Sequence, residues 1–264
     1  MATSYGSTWN PDIYLRFAAY RARPAEDLMA RLNLTAPGDI YDLGCGPGTL
    51  TLQLKQRWPE RRVIAVDSSR EMLTAARERD AKNVIEWREG DIATWRADAP
   101  AAMIFANAAL HWLDDHATLV PHLMRQLAPG GTFAVQMPQT RESKYTPSIY
   151  NVMRSPRWKA RLGDLPLHPD PHPAAFYYDL VAPLAAEAEV WETNYNHVLP
   201  GEHPVRDWML GTGLVPVLSV LNEAEQQEFL ADYDAETERA YARQIDGTVL
   251  FDMRRLFILA RRAG

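Results

Sequence analysis

The sequence contains one cysteine and no long apolar run. Cys45 is the only cysteine among 264 residues, so no disulfide can form within the chain, and no group of cysteines and histidines has the spacing of a metal site. No segment with the length and hydrophobicity of a membrane span is visible, and no signal peptide is visible either. We therefore expect a cytoplasmic protein without a metal site or a membrane partner.

Basic runs interleaved with aromatic residues are also absent. The formal net charge is -6, from 28 lysines and arginines against 34 aspartates and glutamates. A nucleic-acid-binding face needs clustered positive charge, so we expect no nucleic-acid partner. The hydrophobic share of 47% and the charged share of 23% are ordinary for a globular protein, and the length allows one large domain or a domain with a cap.

A glycine-rich turn follows the first predicted strand. The apolar residues of segment 40–43 precede the sequence Gly-Cys-Gly-Pro-Gly at 44–48, and a helical apolar pattern follows over 50–58. Glycine permits positive φ and close approach of a ligand to the backbone, and a helix start presents free N–H groups. Turns of this kind occur in nucleotide-binding sites. Cys45 is interpreted as a small side chain that fits the turn.

The next predicted strands also end in polar residues. The strand over 63–67 ends in Asp67, which can accept both ribose hydroxyls of an adenosine. Met72 is available to cover an adenine ring, and Asp91, after a strand over 84–87, can accept from the adenine amino group. The strand over 101–106 leads into Asn107. The pattern predicts a ligand that contains adenosine.

The order of these motifs resembles that of the class I S-adenosylmethionine-dependent methyltransferases. The matching segments are 42–48, 67–72, 90–91 and 127–131. A dehydrogenase is the structural rival, but its turn has a third glycine where this chain has Thr49. The resemblance implies S-adenosyl-L-methionine as cofactor, with S-adenosyl-L-homocysteine as product.

The same resemblance implies a fold and a domain organisation. We expect an α/β fold with a Rossmann-like seven-stranded methyltransferase sheet, its last strand antiparallel, and a helical cap insertion. The whole chain, 1–264, is expected to form a single class I methyltransferase domain. The cap would be contributed by 1–30, 140–170 and 200–245.

The expected cofactor-binding residues lie before the first strand or near the carboxyl ends of the first four. They are Arg23, Asp42, Gly44, Cys45, Gly46, Asp67, Ser68, Met72, Asp91, Ile92 and Asn107. One of the two arginines Arg21 and Arg23 is expected to hold the cofactor's methionine carboxylate.

The second half of the chain is predicted to complete the sheet. A helix over 171–185 leads to a strand over 188–199 in which side chains alternate between two faces. Helices are predicted over 205–210 and 223–245, and the last strand over 248–260.

A narrower likeness runs almost from end to end. Segments 9–17, 106–112, 135–138, 191–197, 207–214 and 254–257 resemble the trans-aconitate 2-methyltransferases. This resemblance implies methyl-ester formation on one carboxylate of trans-aconitate, a small-molecule tricarboxylate. The expected substrate-binding residues are Trp9, Tyr14, His111, Trp112, Tyr195, His197, Trp208 and Arg255.

The chemistry of a carboxylate acceptor limits what the protein must supply. A carboxylate is ionised at pH 7 and needs no general base, so no catalytic residue is assigned. His111 is the first candidate for a base if the acceptor is a hydroxyl. Arginine suits planar carboxylates. Arg254 and Arg255 are adjacent on a strand and point to opposite faces, and Arg255 is favoured because it shares a face with Met253 and Phe257.

Other functions stay open at this point. The malonyl-carrier-protein methyltransferases also esterify a carboxylate, although a basic patch for an acidic carrier is not evident here. A methyltransferase for another small molecule is a broader alternative, and a non-catalytic adenosylmethionine-binding module is a remote one. The sequence does not indicate an oligomeric state.

Overall fold

The computed structural model describes residues 17–140, 143–167 and 171–264, and these residues divide into two compact units. The first, which we call the sheet unit, contains the described residues within 24–138, 171–193 and 255–264. The second, which we call the helical unit, contains those within 17–23, 139–170 and 194–254. The helical unit overlaps the three segments predicted to form the cap.

Within the described residues, seven strands form one mixed sheet, and helices connect many of the strands. This confirms the predicted α/β fold class. The strands are β1 (Ile40–Leu43), β2 (Val63–Asp67), β3 (Glu86–Glu89), β4 (Ala101–Asn107), β5 (Leu127–Gln139), β6 (Ala185–Leu199) and β7 (Val249–Arg262). Their order is β3-β2-β1-β4-β5-β7-β6, with parallel pairing from β3 to β5 and an antiparallel last strand. The sheet unit holds β1 to β4 complete, and β5, β6 and β7 continue into the helical unit.

The described residues also form ten α-helices, numbered in chain order. They are α1 (Ala18–Ala30), α2 (Thr49–Arg57), α3 (Arg70–Arg79), α4 (His116–Arg125), α5 (Tyr145–Met153), α6 (Lys159–Leu162), α7 (Ala174–Val181), α8 (Pro204–Met209), α9 (Val215–Leu218) and α10 (Glu223–Ala240). Short 3-10 turns occupy Leu110–Trp112 and Ala182–Leu184. Hydrogen bonds of N-cap side chains stabilise the first turns of two helices. The Ser69 hydroxyl accepts a hydrogen bond from the Met72 N–H at the start of α3, and Asn222 forms a capping box with Glu225 at the start of α10.

The alternation of side chains along the central strands decides which residues face the main core of the sheet unit. Ile104 and Ala106 of β4 and Phe133, Val135 and Met137 of β5 belong to one buried apolar cluster. Successive side chains of a strand point to opposite faces. The side chains of Asn107, the last residue of β4, and of Gln136 in β5 therefore point to the other face of the sheet.

The helical unit has an apolar core of its own. It includes three large fully buried rings, Trp208, Phe229 and Phe251, with Tyr233 beside them. None of the helices in the described part of the chain is both long and apolar enough to cross a membrane.

Some element boundaries differ from the sequence expectation. The third strand starts at Glu86 and not at 84, because the Asp80 carboxylate accepts hydrogen bonds from the N–H groups of Val84 and Ile85 and holds them in a turn. The helix predicted to extend to 245 ends at Ala240, since the following residues form a bridge between Arg243 and Val249.

Candidate functional site

The glycine turn after β1 has the left-handed conformation that its sequence indicates. Gly44 has φ 75° and Gly46 has φ 53°. A Cβ on Gly44 would collide with the Cβ of Ala109, so close packing excludes any larger residue there. A Cβ on Gly46 would meet no atom of the described residues within 4 Å. The backbone at Gly46 therefore faces open space, and a ligand can approach it closely.

Asp67, at the end of β2, holds this turn. Its Oδ2 accepts a hydrogen bond from the Gly46 N–H at 2.8 Å, and its Oδ1 accepts one from the Ser69 N–H at 2.9 Å. The carboxylate is half-buried. Each carboxylate oxygen has a second acceptor position, so Asp67 can still receive hydrogen bonds from a ligand at the turn.

Asp42, near the end of β1, is buried beneath the turn. Its Oδ2 accepts a hydrogen bond from the Thr51 hydroxyl at 2.6 Å, which ties β1 to the first turn of α2. Burial raises the pKa of the Asp42 carboxyl from 3.8 to about 7; the hydrogen bond from Thr51 opposes this rise, and the charge of Asp67 adds to it. Because this hydrogen bond joins the strand before the glycine turn to the helix after it, Asp42 stabilises the turn.

The end of β4 and the segment after it carry three of the predicted residues. Asn107 is half-buried, and its Oδ1 has no hydrogen-bond partner among the described residues. Ala108 adopts φ 50°, and its N–H donates to the Gln136 carbonyl at 2.9 Å. His111 is buried within the 3-10 turn and lies 4.8 Å from the ring of Trp112, which is 51% exposed.

A buried histidine that sequence reasoning missed supports this segment. The Nε2 of His116, in the first turn of α4, donates to the Leu110 carbonyl at 2.9 Å, while its Nδ1 accepts from the Tyr177 hydroxyl at 2.6 Å. The Tyr177 hydroxyl oxygen also accepts a hydrogen bond from the backbone N–H of His172. His116 and Tyr177 are far apart in sequence, so no local pattern indicates the pair.

The remaining predicted cofactor residues of the sheet unit surround the turn or follow β2 and β3. Ile92 is buried next to Gly44, whereas Ser68 and Asp91 are exposed and Met72 is half-buried. Burial raises the pKa of the Cys45 thiol, so the thiolate form is disfavoured at neutral pH. Cys45 is therefore a packed side chain of the turn, as its sequence position indicates.

The helical unit brings together four other predicted residues. The guanidinium of Arg23 lies 5.4 Å from the ring of Tyr195. The ring of His197 stacks on Tyr195 at 6.4 Å and on Trp208 at 4.7 Å. Tyr195, His197 and Trp208 are buried, and Arg21 lies over Trp208 at 4.6 Å. The Trp208 Nε1 has no hydrogen-bond partner in the described part of the chain.

Arg255 belongs to the sheet unit and is 8% exposed, while its neighbour Arg254 is half-buried. Leu256 and Ile258 face the main core, so alternation places Arg255 and Phe257 on the opposite face. As the sequence predicts, Arg255 and Phe257 share one face of the strand. Trp9 and Tyr14 lie outside the described residues.

Possible metal ligands are dispersed in the part of the chain that the structure describes. Its histidine, cysteine, aspartate and glutamate side chains include no group of three or more that could hold a metal ion.

Known proteins similar to this chain are methyltransferases. Residues 40–131 match the methyltransferase domain family. The trans-aconitate 2-methyltransferase of Azoarcus sp. strain BH72 is 45% identical over 258 residues, which cover 97% of this chain and 99% of that protein. The trans-aconitate 2-methyltransferase of Escherichia coli O45:K1 strain S88 is 42% identical over 256 residues, with coverage of 97% and 99%.

A similar fold occurs among solved structures. Phosphoethanolamine N-methyltransferase 2 of Haemonchus contortus, in complex with phosphomonomethylethanolamine and S-adenosylhomocysteine, has a TM-score of 0.56. The identity is 14%, and the alignment covers 91% of this chain and 52% of that one. At this identity the likeness concerns the fold.

The raised pKa of Asp42 predicts a pH-dependent stability. Between pH 4 and 7 the folded chain holds a proton on Asp42 that the unfolded chain releases, so this group's contribution to stability falls as the pH rises. Urea unfolding should be measured for the ligand-free protein and for Asp42→Asn. The free energy of unfolding of the unchanged protein minus that of the variant should fall by up to roughly 4 kcal/mol from pH 4 to pH 8. The exposed replacement Glu26→Gln is the control. If this difference in free energy of unfolding is constant or grows with pH, the raised pKa of Asp42 is contradicted.

Proposed function

This chain belongs to the trans-aconitate 2-methyltransferase family, and we propose that it transfers a methyl group from S-adenosylmethionine to a carboxylate of trans-aconitate. The observation that carries the proposal is the 45% identity over 97% of the chain, which includes the second half as well as the glycine turn. The product would be a methyl ester and S-adenosylhomocysteine.

The residues at the turn fit the cofactor. The open space beside Gly46 admits a ligand against the backbone, and the half-buried carboxylate of Asp67 is available for two ribose hydroxyls. The unpartnered Oδ1 of Asn107 suits an ammonium donor such as that of the cofactor's methionine part. When bound, S-adenosylmethionine supplies a methyl group that is electrophilic because it is attached to a sulfonium sulfur.

The protein's own contribution is binding, orientation and exclusion of water. A carboxylate acceptor is ionised at neutral pH, so no side chain has to remove a proton from it. Alignment of two reactants in a binding site can contribute roughly 7–11 kcal/mol. We propose that Arg255 binds a carboxylate of the acceptor, because a guanidinium offers paired N–H donors and Arg255 is buried in the sheet unit.

Several finer points are part of this proposal. One domain over 1–264, with a cap from 1–30, 140–170 and 200–245, is the organisation we propose for the active enzyme. We also propose a cytoplasmic location and no nucleic-acid partner. The substrate roles of Trp9, Tyr14, His111, Trp112, Tyr195, His197 and Trp208 stay predictions.

Methyl transfer can be measured directly. Purified protein with S-adenosylmethionine labelled in its methyl group should transfer the label to trans-aconitate and give a base-labile ester. A malonyl-loaded acyl carrier protein and a panel of acids, amines and phenols are the alternative acceptors. Transfer only to the carrier protein, or only to another small molecule, would contradict the proposed acceptor. Cofactor binding without any transfer would support the non-catalytic alternative.

Two substitutions should separate cofactor binding from acceptor binding. Asp67→Ala should raise the Kd for S-adenosylhomocysteine by about tenfold or more and change the KM for trans-aconitate much less, since hydrogen bonds to a charged group are lost at the turn. Arg255→Ala should do the reverse. The neighbouring Arg254→Ala is the matched control. Similar losses of both affinities in both variants would contradict the assigned roles.

A further inference from the structure

Gln136, near the end of β5, is a buried amide whose donor nitrogen is not used. The side chain is 1% exposed, and its Nε2 has no hydrogen-bond partner among the described residues. An amide nitrogen carries two N–H donors, and a buried donor without an acceptor weakens the folded state. A residue that carries this cost is a candidate for binding a ligand.

The sheet places Gln136 beside the proposed cofactor site. Asn107 and Gln136 are register partners at the carboxyl ends of the parallel strands β4 and β5, so their side chains lie on the same face. Ligands of open α/β sheets bind at this end of the strands. Along the strand order, Asp67 ends β2, the glycine turn follows β1, Asn107 ends β4, and Gln136 of β5 is next.

Arg255 lies on the same face of the adjacent strand. β7 follows β5 in the sheet, and Arg255 is on the side opposite to Leu256 and Ile258, as Gln136 is opposite to Val135. The guanidinium of Arg262, the last residue of β7, donates to the carbonyl of Arg125, just before β5, so the end of β7 lies near the start of β5. Because β7 is antiparallel, Arg255 is displaced from that contact toward the end of β5 that carries Gln136.

We propose that Gln136 is a specificity-determining residue that donates to a carboxylate of the methyl acceptor, together with Arg255. This inference rests on the proposed function and adds a substrate-contacting residue to it. A carboxylate accepts hydrogen bonds and offers no donor when ionised. The unused N–H groups of Gln136 and the guanidinium of Arg255 therefore select an anionic acceptor over an amine.

The replacement Gln136→Leu tests the proposal through two opposite effects. The KM for trans-aconitate should rise about tenfold or more, because a hydrogen bond to a charged group is lost. The Tm of the ligand-free protein should rise by about 2–4 °C, since the unsatisfied donor is removed. The Kd for S-adenosylhomocysteine should stay within about twofold.

A matched control comes from Gln126, the residue just before β5. The side-chain oxygen of Gln126 accepts a hydrogen bond from the Ala97 N–H. Gln126→Leu should therefore lower the Tm and leave the KM for trans-aconitate unchanged. If Gln136→Leu does not fold, Gln136→Met is an unbranched replacement that also lacks side-chain N–H donors, and it should raise the KM for trans-aconitate by about tenfold or more.

The outcomes separate this inference from the proposed function. Absence of transfer to trans-aconitate by the unchanged protein overturns the proposed function, and the carboxylate contact of Gln136 is overturned with it. If the unchanged protein is active and a folded Gln136→Leu or Gln136→Met has a normal KM, the role of Gln136 alone is overturned. A raised KM that accompanies an equal loss of S-adenosylhomocysteine affinity also overturns it, because the amide would then serve the cofactor.

Discussion

The carboxylate of Asp67 connects the two turns on which the proposed cofactor site depends. One of its oxygens holds the Gly46 N–H in the turn after β1, and the other holds the Ser69 N–H before α3. Gly44 and Gly46 adopt positive φ in the same turn, and Gly44 packs against Ala109 after β4. A single side chain thus fixes the backbone around which an adenosine would bind.

Polar groups without hydrogen-bond partners among the described residues continue from this turn along the carboxyl ends of the strands. The oxygen of Asn107 and the nitrogen of Gln136 are buried neighbours of opposite hydrogen-bonding type. An acceptor suits the ammonium group of the cofactor, and a donor suits the carboxylate of trans-aconitate. The order of these groups across the strands is therefore consistent with methyl transfer between two ligands at one edge. His116 supports the intervening segment through the Leu110 carbonyl.

The sheet and its glycine turn were predictable because their signals are local. Apolar strands, glycines at 44–48 and an acid at the end of β2 are readable from short segments. Gln136 and His116 were not assigned, because their significance depends on strand register and on a contact between distant residues. The alternation of β6 predicted that Tyr195 and His197 share a face, but not that their rings pack with a buried Trp208. The sequence also did not reveal the turn at Asp80 that delays β3.

The most direct test of the account is a calorimetric titration of S-adenosylhomocysteine into two glycine variants. Gly46 and Gly130 both have positive φ, and a Cβ on either would meet no atom within 4 Å in the part of the chain that the structure describes. Gly46→Ala and Gly130→Ala should therefore have similar backbone costs of roughly 1–2 kcal/mol. Only Gly46→Ala should weaken binding, by about tenfold or more, because its methyl group occupies the ligand's space. Equal affinities in both variants would contradict the location of the cofactor at this turn.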